Sequence, residues 1–125
     1  MRKKGTYVRK YAILKEPFPL NNYGDMCVKI MIHETKYGVY VYLYTTTDKY
    51  QGCSFDDWYE DLKEAEEYGV ECGVSENDWI ILDELLPDCF PSIVAPVRQK
   101  GSDVGESNKN EYEALVDGVW VNFEF

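Results

Sequence analysis

The chain has 125 residues, of which 45% are hydrophobic and 15% aromatic, a composition that indicates one folded domain over residues 1–125 rather than a disordered segment. Its 13 Lys and Arg against 23 Asp and Glu give a formal net charge of −10, which argues against binding to nucleic acid or to anionic membranes. No apolar stretch approaches the roughly 20 residues that a membrane-spanning helix needs.

The first fifteen residues contain six Lys or Arg and no acid, but no uninterrupted apolar run follows them as a secretory signal would require. We therefore expect a cytoplasmic protein. In that compartment the four cysteines, Cys27, Cys53, Cys72 and Cys89, are expected to be reduced thiols. Because no Cys-x-x-Cys pair occurs, the sequence predicts no metal site, and no motif indicates a cofactor.

The N-terminal half predicts a strand over residues 6–14 and then a loop over residues 16–25, where prolines, asparagines and a glycine interrupt the pattern. Residues 26–45 predict a β-hairpin, because two runs rich in β-branched and aromatic residues flank the polar Glu34-Thr35. With that dipeptide at the tip, the hydrophobic alternation of the two strands is in register.

The register of this hairpin decides which side chains share a face. With Glu34-Thr35 at the tip, Ile30 faces Val39, and the branched aliphatic side chains of both strands fall on one side. We call the opposite side the tyrosine face. It carries Met31, Tyr40, Tyr42 and Tyr44, and Trp120 of the second hairpin is expected to extend it.

Residues 55–72 predict the main helix. Ser54 and Asp57 have the spacing of a capping box, and apolar residues then recur with the period of a helix as far as Cys72. Gly73 is expected to end this helix. Ser75 and Asp78 repeat the capping spacing, which predicts one further short turn.

The remainder of the chain predicts short strands over residues 79–82 and 93–99, a mobile loop over residues 101–110 and a second hairpin over residues 111–125. Asp117-Gly118 is a strong signal for a type I′ turn at the tip of that hairpin. This tip predicts the cross-strand pairs Tyr112 with Phe123, Ala114 with Val121, Leu115 with Trp120, and Val116 with Val119.

These elements predict an α+β fold, in which an antiparallel sheet of about five strands is built around the hairpins 26–45 and 111–125, with the helix, about 55–72, on one face. One amphipathic helix covers only one face of a sheet, so the tyrosine face should meet something else. Three interpretations are open: cover by Trp79 and the proline-rich residues 86–96, contact with a protein partner or a second copy, or a small-molecule site.

Acidic residues are concentrated between Asp56 and Asp88, where thirteen Asp or Glu accompany a single base, Lys63. An acidic surface of this kind can simply keep a protein in solution, or it can steer a basic partner toward it. Pairing with the basic N-terminal residues is a third interpretation. The predicted electrostatic face consists of Asp57, Glu60, Asp61, Glu64 and Glu67.

Catalytic signals are weak. His33 is the only histidine, and Cys27, six positions away on the same predicted strand, would lie roughly 20 Å from it. No nucleotide-binding, nucleophile-elbow or zinc-protease motif occurs. The sequence therefore favours a non-enzymatic interaction module that forms a homodimer or binds a basic protein, as an antitoxin or immunity protein does. The alternative is a small-molecule-binding domain or minor enzyme with a pocket between the sheet and residues 86–96.

Overall fold

The computed structural model describes residues 7–101, 104–105 and 111–125. These residues group into two compact units: the first holds the chain up to residue 47 and residues 53–84, and the second holds residues 48–52 and the chain from residue 85 onwards. The single domain expected over residues 1–125 stays a prediction. The mobile loop predicted at 101–110 falls largely outside the described residues.

The first unit is a five-stranded antiparallel sheet with the strand order β4-β3-β2-β1-β5, one helix, and a short 3-10 turn at Glu76–Asp78. Its elements are β1 (Arg9–Pro19), β2 (Met26–Thr35), β3 (Gly38–Tyr44), β4 (Phe55–Tyr59), α1 (Leu62–Glu71) and β5 (Ile80–Ile81). The helix has ten residues, and no helix in the described part of the chain has the length and apolar character needed to cross a membrane.

The second unit contains a three-stranded antiparallel sheet with the order β6-β7-β8. Its strands are β6 (Val97–Gln99), β7 (Tyr112–Val116) and β8 (Val119–Phe123). The predicted α+β class and a five-stranded antiparallel sheet are confirmed. The hairpin at 111–125, however, belongs to a sheet of its own and not to the sheet that contains the first hairpin.

The second hairpin has the predicted register. All four predicted cross-strand pairs are present, from Tyr112 opposite Phe123 to Val116 opposite Val119. Asp117 and Gly118 at the tip have φ values of 51° and 80°, the positive values that a type I′ turn requires at both central positions. The turn therefore fixes the register of the flanking strands.

The first hairpin turns two residues later than predicted. Its tip is Lys36-Tyr37, and Ile30 lies opposite Leu43 rather than Val39. The Thr35 hydroxyl donates to the Gly38 carbonyl at 2.9 Å and accepts from the Tyr37 N–H at 3.1 Å, so a side chain closes the turn. Over residues 29–44 the predicted faces survive, because each residue's new partner differs from the predicted one by an even number of positions.

Strand β1 extends into the region predicted as a loop, of which residues 20–25 remain without regular structure. Its pairing with β2 is irregular between Ile13 and Phe18, and it continues to Pro19. Prolines are tolerated there because β5 pairs only with Lys10 and Tyr11, which leaves the second half of β1 as an edge. Beyond the irregularity Phe18 pairs with Cys27, whose side chain enters the core, whereas Val28 is only partly buried.

The predicted helix is too long at its N-terminus. Phe55–Tyr59 is a strand paired with β3, and α1 begins at Leu62 with Asp61 as its N-cap, whose Oδ1 accepts from the Glu64 N–H at 2.9 Å. Ser54 is therefore not the cap. The predicted end is correct, since Cys72 is the C-cap and Gly73 follows with a φ of 93°.

The core of the first unit lies between α1 and one face of the sheet, which we call the helix face. Lys10 reaches across this face, and its Nζ binds Glu66 Oε2 of α1 at 2.7 Å while lying 4.9 Å from the centre of the Trp79 ring. The buried residues of this core are Ala12, Leu14, Cys27, Ile30, Ile32, Val39, Val41, Leu43, Ala65 and Val74.

Gly69 lets the Trp79 ring approach α1 closely, because a Cβ added there would lie 2.9 Å from Trp79 Cζ2. Alanine normally stabilises a helix interior over glycine by about 1 kcal/mol. We expect Gly69→Ala instead to lower the free energy of unfolding by about 1–2 kcal/mol, since a rigid ring must move. Urea denaturation measures this effect.

The matched control for this substitution is the Trp79→Leu background, where the ring is absent and Gly69→Ala should stabilise. A stabilising Gly69→Ala in the presence of Trp79 would contradict the packing described.

Candidate functional site

Four of the five tyrosine-face residues belong to the five-stranded sheet, and the fifth belongs to the three-stranded sheet. Met31 lies opposite Tyr42, and the rings of Tyr40 and Tyr42 stack with centroids 6.2 Å apart and planes 5° from parallel. Trp120 lies on β8 in the other sheet, where the Arg98 guanidinium stacks 3.7 Å from the centre of its ring. Trp120, which was expected to extend the tyrosine face, therefore does not belong to the five-stranded sheet.

Burial changes the interpretation of the tyrosine face. Met31 and Tyr44 have no solvent-exposed surface, Tyr42 is 7% exposed, and Tyr40 is half-buried. An exposed aromatic surface was expected here, and three of these four side chains do not provide one. Tyr40 at the β4 side of the face keeps partial access to solvent.

The same face also buries cationic side chains that sequence reasoning missed. Lys29, paired with Tyr44, is fully buried, and its Nζ lies 4.3 Å from the centre of the Tyr44 ring. Arg9, paired with His33, is 7% exposed. The sequence did place these side chains on the tyrosine face, because Lys29 and His33 alternate with apolar residues along β2 and so share a face with Met31.

Burial keeps the phenols of this cluster neutral. Desolvation, with a smaller contribution from Cys53, raises the pKa of Tyr42 to about 12, and it raises the pKa of Tyr44 as well. Neither phenol is an acid or base near neutral pH. The tyrosine face therefore behaves as a polar, aromatic interior layer over most of its area.

His33, an imidazole whose ordinary pKa is 6.5, also lies on this face. Its burial, together with the neighbouring Arg9, lowers the pKa of the imidazole below the ordinary value of 6.5. Among the described residues, no hydrogen-bond partner reaches its buried Nδ1. A proton on His33 is therefore disfavoured in the folded protein.

We expect the free energy of unfolding to fall as the pH drops from about 7.5 to 5.5, because the unfolded state takes up a proton on His33 that the folded state resists. Above that range both states hold a neutral imidazole, so protonation of His33 no longer lowers the free energy of unfolding. Urea denaturation across the pH series measures it, and His33→Gln should flatten the slope. Equal slopes in the parent and the variant would contradict the described environment of His33.

All five residues of the predicted electrostatic face are exposed. Asp57 lies on β4, Glu60 and Asp61 lie between β4 and α1, and Glu64 and Glu67 lie on α1. Within the part of the chain that the structure describes, none of them forms an ion pair. We call these five exposed residues the acidic surface; the exposed Lys63 is the one base within the same stretch of sequence.

The basic N-terminal residues form ion pairs with acidic residues that are not part of the acidic surface. Lys10 binds Glu66 at 2.7 Å, and Lys15 Nζ lies 3.3 Å from Asp78 Oδ1. The expectation of intramolecular pairing therefore holds for Glu66 and Asp78. These two pairs do not neutralise the acidic surface.

Strand β4 borders the acidic surface and forms one edge of the five-stranded sheet. Phe55 is 45% exposed and Trp58 is 48% exposed, and Asp56 and Asp57 between them are also exposed. We call these four residues the β4 edge. Sequence reasoning assigned them to a helix and so did not recognise them as a strand surface.

Trp58 is held in place at this edge by its neighbours on the sheet. It pairs with Tyr40, and its indole lies so close to Gly38 that no Cβ could be accommodated there. Trp58 therefore extends the partly accessible end of the tyrosine face to the β4 edge. Aromatic and acidic side chains therefore lie next to one another along the β4 edge.

A groove of about 710 Å³ lies elsewhere in the first unit, between β1 and the end of α1. Cys72 lies in its wall, and burial raises the pKa of its thiol. A protonated thiol is a poor nucleophile, so the groove has no activated cysteine. Its lining residues are Lys15, Glu16, Pro17, Phe18, Tyr68, Glu71, Cys72 and Gly73.

Comparison with known proteins finds no counterpart for this chain among protein-family models, curated proteins or solved structures. The described residues contain no group of three or more His, Cys, Asp or Glu placed to hold a metal ion. The chemical character of the acidic surface and of the β4 edge is therefore the main guide to function.

Proposed function

We propose that the protein is a cytoplasmic interaction module that binds a basic protein partner through the acidic surface and the β4 edge. The observation that supports this most strongly is the combination of five exposed carboxylates, unpaired within the described residues, with the half-exposed Phe55 and Trp58 beside them. None of the four cysteines forms a disulfide, which is consistent with a reducing compartment.

The two kinds of side chain have different roles in such a complex. The carboxylates attract a basic partner over a distance and raise the rate of encounter. Aromatic side chains such as Trp58 supply apolar contact area, and they are enriched at the centres of protein interfaces. An antitoxin or immunity-type protein that neutralises a basic partner would use this combination.

Self-association through the same surface is disfavoured by its charge. Two copies that met at the acidic surface would bring Glu60, Glu64 and Glu67 of one chain against carboxylates of the other, and like charges at an interface cost energy. A homodimer would need a different contact. A second candidate function, binding of a small molecule, is supported only by the groove between β1 and α1.

The test compares two variants with equal net charge. Glu60→Gln/Glu64→Gln/Glu67→Gln removes three of the five charges of the acidic surface and spares Asp57 and Asp61, which accept backbone hydrogen bonds. Its matched control neutralises three exposed acids elsewhere: Asp83→Asn/Glu84→Gln/Glu124→Gln. Affinity capture from native lysate should retain a basic protein on the parent and the control, and much less of it on the first variant.

The captured partner, once purified, should associate about tenfold or more slowly as salt rises from low to high concentration, because screening weakens steering. Stopped-flow kinetics measures that rate. The proposal fails if the retained proteins bind the acidic-surface variant as well as the control, or if their association is indifferent to salt.

A further inference from the structure

The outer edge of β4 is open for backbone pairing. β4 pairs with β3 on one side, and no other strand in the described ranges pairs with it on the other. The Trp58 N–H donates to Asp57 Oδ1 at 2.9 Å, so this donor is not used in the ladder with β3, and an added strand would replace the carboxylate as its acceptor. Because donors alternate in direction along a strand, the Asp56 N–H points outward as well.

The side chains along this edge select what can pair with it. An open edge with two large aromatic residues invites pairing with a second copy, and charged residues on the edge are a common protection against that. In an antiparallel pair of two β4 strands, Asp56 and Asp57 of each copy would face each other, which is unfavourable. The same two carboxylates attract a strand that carries positive charge.

We propose that the β4 edge binds an extended basic segment of the partner as an added strand. This inference rests on the proposed function and specifies the segment that would be bound. Pairing through backbone hydrogen bonds is a common mode of peptide recognition, with the alternating side chains providing specificity.

The order of residues on β4 defines the order expected in the bound segment. Phe55, Asp56, Asp57 and Trp58 run apolar, acidic, acidic, apolar. A complementary strand therefore carries two successive Arg or Lys residues with an apolar residue on each side, and this pattern reads the same in both strand directions. The basic side chain opposite Asp56 projects on the face of Trp58, where a cation can also lie over the indole ring.

The test uses the whole protein and the synthetic peptide acetyl-Thr-Val-Arg-Arg-Val-Thr-amide. The matched control peptide, acetyl-Arg-Val-Thr-Thr-Val-Arg-amide, has the same composition and charge but lacks the central basic pair. Titration followed by amide chemical shifts should show the first peptide binding at residues 55–59 with an affinity several-fold higher than that of the control. Equal affinities, or no binding of the first peptide, would overturn the proposal.

Two protein variants separate backbone pairing from charge. Asp56→Ala and Asp56→Pro both remove the carboxylate, but only proline also removes the outward N–H. Since one backbone hydrogen bond contributes about 0.5–1.5 kcal/mol, Asp56→Pro should bind the peptide about two- to twelvefold more weakly than Asp56→Ala. Equal affinities of the two variants would contradict strand addition. Should the proline variant not fold, a peptide N-methylated at its central amides removes donors of the added strand instead, and it should bind the parent protein more weakly than the unmethylated peptide.

The outcomes distinguish this inference from the proposed function. If peptide-induced shifts are confined to α1, the acidic surface binds basic chains and strand addition is wrong. If the captured partner also binds equally well to the acidic-surface variant, the proposed function fails together with it.

Discussion

The pairing of β4 with β3 is the constraint on which the rest of this fold depends. It places Tyr59 on the helix face, where its ring lies 5.9 Å from that of Tyr68 on α1. Because residues 55–59 form a strand, α1 begins only at Leu62, with Asp61 as its N-cap. The edge position leaves Asp56 and Trp58 exposed, so one pairing of five residues determines both the docking of α1 and the character of the candidate interface.

The sequence predicted the second hairpin correctly because a single turn fixes its register. Asp117-Gly118 adopts the two positive φ values that only a few residue types accept, and the whole second hairpin follows from it. The first hairpin has no comparable turn sequence, and a hydrogen bond from the Thr35 side chain places its tip. Its faces were still predictable because alternation is unaffected by an even shift in register.

The start of α1 and the burial of charge were harder to predict, for physical reasons. Phe55, Trp58 and Tyr59 fit the period of a helix, but aromatic residues also suit a strand, and the free edge of β3 decides between the two. Exposure of the acidic residues followed from their charge. The burial of Lys29 did not, because a lysine on a strand normally indicates solvent and only the tertiary structure shows it over the Tyr44 ring.

The backbone state of residues 55–59 is the most direct test of this account, and ¹³Cα chemical shifts measure it in solution. We predict values below random coil across these five residues, with cross-strand nuclear Overhauser contacts between Val41 and Asp57, and helical values only from Leu62 onwards. Helical shifts that begin at Phe55 would contradict the account. They would remove the edge strand, and with it the proposed site of strand addition.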